Sequence, residues 1–265
     1  MSKELSIGII GCMGRMGQAV MDTVRQQDGA RFVAGSEYAD YDGIGHIIPG
    51  TDLTLSGDTA TVFASADVVI DFSAPGSTAD HATLAASSGT PLVIGTTGLT
   101  DIDERAIDAA AKTVPMMQAG NYSLGVNLLT ALVRDAAGKL GDDWDIEVVE
   151  MHHRHKIDAP SGTALMLGEA AAAGRGQTLD AVRTPARDGI AGEREPGAIG
   201  FAALRGGSVI GEHDVVFASG SERLTLSHKA ENRSLFAEGA VKAALWLSTQ
   251  KPGRYNMLDV LGLDQ

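Results

Sequence analysis

The stretch Leu5-Ser-Ile-Gly-Ile-Ile-Gly-Cys-Met-Gly-Arg-Met-Gly17 joins a short apolar run to glycines at 11, 14 and 17. Leu5–Ile10 reads as a buried parallel strand. Residues 14–27 then place Met16, Val20, Met21 and Val24 close to helical spacing. Strand, G-x-x-G-x-x-G turn and helix make the first part of a dinucleotide-binding βαβ unit. The glycines permit a tight turn and close backbone approach, and the amides at the helix N-terminus face a pyrophosphate. Residues 31–35 supply the second strand. Glu37 stands just beyond it, 20 residues past Gly17, where a carboxylate accepts hydrogen bonds from ribose hydroxyls.

Outward from this unit the same rhythm continues. Strands are expected at 66–71, 91–94 and 114–118, with helices at 78–87 and 101–112, which predicts an α/β fold with a Rossmann-like, doubly wound parallel sheet. Ligands in such a sheet sit beyond the carboxyl ends of the strands. The loops Gly95-Thr96-Thr97-Gly98 and Ala119-Gly120-Asn121-Tyr122 leave two of those ends and are candidates to line the nicotinamide half of a cofactor. After Asn121 the pattern changes. Ser123 can cap a long helix through Leu140 whose apolar residues include Leu124, Leu128, Leu132, Ala136 and Leu140. A strand at 144–151, a helix at 163–173, a long loop at 174–198 and strands at 200–205, 208–217 and 223–229 follow. They predict a second, α+β domain on a mixed or antiparallel sheet, beginning near residue 125. The Ala-rich helix at 234–247 has no place assigned by pattern alone.

Composition narrows the function classes. The 265 residues carry a formal charge of −13, and 5% are aromatic. Such a chain repels phosphate backbones and anionic membranes and lacks a stacking surface for single strands. No nucleic-acid or membrane partner is therefore expected. Cys12 is the single cysteine, which excludes an intrachain disulfide and a multi-cysteine zinc site. The N-terminus runs from Met1-Ser-Lys-Glu straight into the first strand without a signal-peptide core, and no run of 18 apolar residues follows, so a cytoplasmic location is expected.

Against that acidic background, Glu150-Met-His-His-Arg-His-Lys-Ile-Asp-Ala-Pro-Ser-Gly-Thr163 stands out. His152 to Lys156 hold three imidazoles, a guanidinium and an ammonium in five consecutive residues. A solvated charged loop is the plainest reading of such a run. A metal site on His152 and His155 lacks a supporting cysteine or H-E-x-x-H spacing, and no metal is expected. A third reading joins the cations to the helix that follows. Ser161 is a good N-cap and Gly162 leaves the first amides uncovered, so the helix terminus is an anion site. Cations on one side and open amides on the other suit a substrate with two carboxylates, with His and Lys able to move protons.

The segment His152–Thr163 closely resembles the 4-hydroxy-tetrahydrodipicolinate reductase (dihydrodipicolinate reductase) family of bacterial lysine and diaminopimelate biosynthesis. Gly-Arg-Met-Gly at 14–17, Gly-Thr-Thr-Gly at 95–98, Arg205-Gly206-Gly207, Gly211-Glu212-His213, His228-Lys229-Ala230 and Gly-Ala-Val-Lys-Ala-Ala-Leu-Trp at 239–246 extend the likeness along nearly the whole chain. The resemblance implies a dinucleotide domain from residues 1–124 and 236–265, and a substrate-binding and oligomerisation domain from 125–235 that builds a homotetramer. It implies NAD(P)H-dependent reduction of 4-hydroxy-tetrahydrodipicolinate, with loss of water, to tetrahydrodipicolinate. By motif, His152 is the proton donor and acceptor and Lys156 a proton donor. His153, Gly162 and Thr163 contact the substrate carboxylates, joined by the N-cap Ser161. Cofactor contacts fall on Gly11, Cys12, Met13, Gly14, Arg15, Met16, Glu37, Gly95, Thr96, Thr97, Ala119, Gly120, Asn121 and Tyr122.

Two departures from the family pattern matter. Cys12-Met13 stand where small residues are usual, so Met13 is expected to crowd or pack on the pyrophosphate, while Cys12 reads as a small buried side chain rather than a reactive thiol. Glu37 is followed by Tyr38, Asp40 and Asp42, with no Lys or Arg from 36 to 46. Three carboxylates repel a 2′-phosphate, with Arg15 offsetting part of this, and predict NADH ahead of NADPH, which remains an alternative. Two other functions compete: an NAD(P)-dependent reductase of another small dicarboxylate, and a non-catalytic NADH-sensing protein. A sensor that controls a partner would carry a basic DNA-reading helix beside the Rossmann domain, which the acidic composition speaks against.

Overall fold

The computed structural model describes residues 4–184 and 186–263. Residues 1–3, which precede the first strand, lie outside the described residues. The chain divides into two compact units, Met1–Ser123 with Ser234–Gln265, and Leu124–Arg233. No described helix is long and apolar enough to cross a membrane.

The first unit begins with β1 (Leu5–Ile10), α1 (Arg15–Gln26), β2 (Ala30–Ser36), α2 (Thr59–Ser65), β3 (Val68–Asp71), α3 (Thr78–Ser88), β4 (Leu92–Ile94), α4 (Asp101–Ala110) and β5 (Pro115–Gln118). The strands lie in the order β5-β4-β3-β1-β2, all parallel. All four residues of β3 are buried, as expected of a central parallel strand covered on both faces. Because β1 has β2 on one side and β3 on the other, the strand order reverses at β1, and the crevice beyond its carboxyl end is the place where this fold holds ligands.

The second unit is built from α5 (Leu124–Leu140), β6 (Asp145–His152), α6 (Gly162–Gly174), the single turn α7 (Leu179–Val182), β7 (Ile199–Arg205), β8 (Glu212–Ala218) and β9 (Arg223–Lys229). Its sheet runs β7-β6-β8-β9, with β6 and β7 parallel and the other neighbours antiparallel. Helices α5 and α6 cover one face, burying Ile146, Val148, Ile199, Val215 and Phe217. The buried side of α5 is Val126, Leu129, Val133 and Ala137, whereas Leu128 and Leu132 are 42% and 47% exposed. A strict four-residue row of leucines drifts around a 3.6-residue helix, so the i, i+3, i+7, i+11 set forms the straighter stripe. The loop expected over 174–198 contains α7 and is fastened to β6. Arg194 donates to Asp145 (2.8 Å), Glu147 (3.1 Å) and the Ile146 carbonyl (3.0 Å).

The chain then returns to the first unit with α8 (Ser234–Leu247), β10 (Gly253–Tyr255) and α9 (Met257–Leu261). Helix α8 packs on α1 and on β3, β4 and β5. Its alanines and Gly239 explain the close fit: a Cβ on Gly239 would fall 1.7 Å from the Tyr122 carbonyl oxygen. Strand β10 extends the sheet in parallel along the edge of β5.

Candidate active site

In the first unit the site is made from backbone. Gly11 ends β1 with φ +73°, a left-handed conformation that favours glycine, and a Cβ there would lie 2.9 Å from the Phe72 carbonyl oxygen. Gly17 sits against the same turn, where a Cβ would come 2.1 Å from the Gly11 carbonyl oxygen and 2.6 Å from the Cys12 Cα. Gly14 caps α1 without any side-chain acceptor, so the first helical amides are left for an anion. Glu37 reaches across from the end of β2, and its Oε1 accepts the Met13 amide at 2.8 Å. The carboxylate thus ties down the glycine turn.

A cavity of about 530 Å³ opens here, walled by Gly11, Gly14, Glu37, Tyr38, Phe72 and His81 among others. Glycine cradle, open helix N-terminus and carboxylate fit a dinucleotide. His81 was not singled out by sequence pattern. Its Nδ1 lies 2.7 Å from Oδ2 of Asp71, which is fully buried, and Asp71 Oδ1 accepts the Ser73 amide at 2.8 Å. This pair holds the turn from β3 into α3. Cys12 is fully buried, and burial, with Glu37 nearby, pushes its thiol up to about 12. The other two loops follow β4 and β5 and are not part of this cavity wall. Thr96 is buried, with its hydroxyl donating to the Ser73 carbonyl (3.0 Å). Tyr122 is buried and donates to the Ile94 carbonyl (2.7 Å), so its phenol braces strand ends; burial, then the charge of Asp71, pushes it upward.

In the second unit the site is made from side chains. Along β6, alternate residues face the helices: Ile146 and Val148, then Glu150 and His152, all buried. Placing a carboxylate where two apolar residues precede it demands partners. Glu150 has four. Arg205, at the end of β7, donates to both oxygens at 2.8 Å. His152 Nδ1 lies 2.6 Å from Oε2, and the Ser161 amide donates to Oε1 at 3.2 Å. Burial raises the Glu150 carboxyl, but the hydrogen bonds from Arg205 and His152 outweigh it and hold the group below the usual carboxylate range. Arg205 also donates to the Asp158 carbonyl at 2.6 Å, pinning the loop that carries the basic residues.

Opposite Glu150 on β8 is His213, whose ring meets that of His152 edge-on at 5.1 Å. Its Nε2 lies 3.1 Å from Ser161 Oγ. Burial, then the charge of His152, pushes His213 down to about 4. Ser161 caps α6, accepting the Ala164 amide at 3.1 Å. Next to it, a Cβ on Gly162 would meet nothing within 4 Å among the described residues. Lys156 pairs with Asp158 at 2.9 Å. His153, on the same loop, is pushed down by burial and then by Arg233, His155, His152 and Lys156. Thr163 lies in the first turn of α6. The structure therefore gathers His152 and Ser161 around one buried carboxylate. Glu150, Arg205 and His213 have no role assigned by sequence pattern. The readable signal for Glu150 was a charged residue in phase with Ile146 and Val148 on a strand buried on one face.

A Rossmann-type unit with a glycine cradle and a carboxylate at its turn, together with an α+β unit holding a cluster of buried histidines and a carboxylate, marks a pyridine-nucleotide-linked oxidoreductase of a small molecule. Residues 5–122 match the family described as dihydrodipicolinate reductase, N-terminus, and residues 125–261 match dihydrodipicolinate reductase, C-terminus. The chain belongs to the dihydrodipicolinate reductase family. It is 51% identical to a 4-hydroxy-tetrahydrodipicolinate reductase from Dinoroseobacter shibae, over 99% of this chain and all of that protein. It is also 51% identical to the enzyme of the same name from Parvibaculum lavamentivorans, over the full length of both. In fold it is similar to a dipicolinate-bound dihydrodipicolinate reductase from a Paenisporosarcina species, with TM-score 0.78 and 24% identity, covering 97% of this chain and 98% of the other.

Proposed function

We propose that the chain reduces 4-hydroxy-tetrahydrodipicolinate, with loss of water, to tetrahydrodipicolinate in lysine and diaminopimelate biosynthesis. Bound NAD(P)H supplies the hydride that reaches C4 of the unsaturated ring left when the 4-hydroxy group departs as water. In this proposal the Gly11–Met16 turn and Glu37 hold the pyrophosphate and ribose. Gly95, Thr96 and Thr97, with Ala119–Tyr122, line the nicotinamide end. His153, Ser161, Gly162 and Thr163 hold the two substrate carboxylates. His152 exchanges a proton, and Lys156 protonates the ring carbon next to the one reduced. NADH is preferred to NADPH, and the working form is a cytoplasmic homotetramer.

The observation that carries the reading is the buried Glu150–His152 pair beside the open N-terminus of α6, in a chain whose net charge is −13. An acidic protein that builds a local cation-and-amide site is built to take an anion. Steady-state oxidation of NADH with freshly made substrate tests it. A positioned acid contributes about a hundredfold to ten-thousandfold, so Lys156→Ala loses kcat on that scale while KM changes far less. An unchanged kcat removes Lys156 from the mechanism, and no turnover by the intact chain rejects the substrate.

A further inference from the structure

We infer that Glu150, locked by Arg205, is a positioning residue that fixes His152 as the Nδ1–H tautomer, so that Nε2, which a side chain at Gly211 would crowd, is the atom that exchanges the proton. This rests on the reading of His152 as the proton-exchanging group.

An ionised carboxylate only accepts hydrogen bonds. Oε1 of Glu150 accepts from Arg205 and the Ser161 amide, and Oε2 accepts from Arg205 and lies 2.6 Å from His152 Nδ1. The ring atom facing Oε2 must therefore carry hydrogen, which leaves Nε2 with the free lone pair in the neutral imidazole. No rearrangement of Glu150 relaxes this, because its carboxylate is held by strand β7, by the start of α6 and by β6 itself. A glutamine in its place would turn one acceptor into an NH₂ group aimed at two donors, whichever way the amide is flipped.

The other ring nitrogen has been given room. A Cβ built on Gly211 would lie 3.1 Å from His152 Nε2 and 3.5 Å from its Cδ2. Gly211 has no left-handed backbone that would call for glycine on its own account. It directly precedes β8, and its carbonyl accepts the Ala230 amide at 2.9 Å, so the segment is anchored and the clearing is fixed. Neighbouring His213 is pushed toward neutrality, which leaves the approach to Nε2 without a second fixed cation from that ring. Arg205, Gly211 and His213 belong to family-like motifs to which sequence pattern gives no role. All three converge on this one imidazole.

The test is the protonation pattern of His152 in long-range proton–nitrogen correlation spectra of the ¹⁵N-labelled full-length protein, assigned with His152→Ala and recorded where imidazoles are neutral. The wild-type protein is expected to show a protonated Nδ1 and a pyridine-like Nε2. Glu150→Gln should lose that signature and at least about a hundredfold in kcat, with KM changing far less. Gly211→Ala should keep the signature and lose roughly tenfold to a hundredfold in kcat. A wild-type Nε2–H tautomer, a folded Glu150→Gln with undiminished kcat, or Gly211→Ala at the wild-type rate would each overturn the inference. If Glu150→Gln does not fold, the wild-type tautomer and the Gly211→Ala rate decide it. His152→Ala at full kcat would instead sink the underlying reading, and the tautomer result stands apart from that.

Discussion

The glycine turn of the first unit and the Glu150 cluster of the second are the two halves of the proposed site, but they are held in opposite ways. At residues 11–17 the donors are backbone amides, and the determinants are missing side chains: Gly11 and Gly17 leave no space for a Cβ. Around Glu150 the determinants are side chains from three strands and a helix start, each dependent on the others for its hydrogen bonds. The first kind of site depends on chain conformation over seven consecutive residues. The second depends on tertiary register, with partners up to 55 residues apart. They should therefore fail differently when perturbed.

The largest effect is expected at the cluster. Glu150→Ala leaves the Arg205 guanidinium, the His152 ring and the Ser161 amide without their shared acceptor. Removing one partner of a buried pair costs about 3–5 kcal/mol, and the lower end applies because Arg205 is 21% exposed. Denaturant unfolding of the full chain measures it, and a loss no greater than that of a surface substitution would show that the cluster is not cooperative. A pH series sharpens the point. Glu150 has a folded pKa below its ordinary value, so its contribution to stability is present above the unfolded value of about 4.3 and is lost as pH falls through the folded one. In Arg205→Ala the lowering hydrogen bonds from the guanidinium are gone while burial remains. The acid loss of stability should then begin at higher pH than in the wild type, read as the melting temperature against pH.

At the glycine turn a single methyl group is the probe. Gly17→Ala places a Cβ against the Gly11 carbonyl oxygen and the Cys12 backbone, neither of which is a flexible side-chain end. Overpacking of this kind costs about 1–3 kcal/mol. Because the strain falls on the amides proposed to hold the pyrophosphate, much of it should appear as lost cofactor affinity, roughly tenfold to a hundredfold, measured by titrating NADH fluorescence. The comparison predicts that Gly17→Ala leaves the His152 ring signature untouched while Glu150→Ala leaves NADH affinity near wild type. If each substitution damages both readouts equally, the two regions do not act as separate devices.

The contrast also explains what is legible in the sequence. β1, the glycine turn and α1 were legible because periodicity and glycine spacing are local. Helix α8 was legible as an element but not in its place, since an Ala-rich helix offers no strong stripe to match to a partner. The three-residue β10 and the seven-residue α2 escaped notice because neither is long enough to show a period. Of the site, the His152–Thr163 run was legible as a concentration of cations in an acidic chain. Arg205 and His213 were legible as motifs but not as partners of Glu150, because only the β6–β7 and β6–β8 registers bring them to it. The buried Asp71–His81 pair was hidden for the same reason: a strand end and the following helix must fold before it exists.

The smallest effect concerns the rim of the cavity at the glycine turn, where the two mechanisms meet in one place: a backbone cradle beside side-chain charge. Tyr38 follows Glu37, lines the cavity and is 67% exposed, with its ring edge-on to Tyr41 at 5.6 Å. Replacing it removes little packing, so Tyr38→Arg tests charge almost alone. The new guanidinium would offset Glu37, Asp40 and Asp42 near the position of a 2′-phosphate. An ion pair at an exposed site contributes up to about 1 kcal/mol, which converts to roughly a fivefold rise in the NADPH to NADH ratio of kcat/KM. The rise should shrink as ionic strength increases, since exposed charges are screened over about 10 Å at 0.1 M salt. A wild-type preference for NADPH would reverse the assignment of those carboxylates. A ratio that shifts but ignores salt would mean that Tyr38 acts through shape, and the charge contrast between cradle and rim would have to be abandoned.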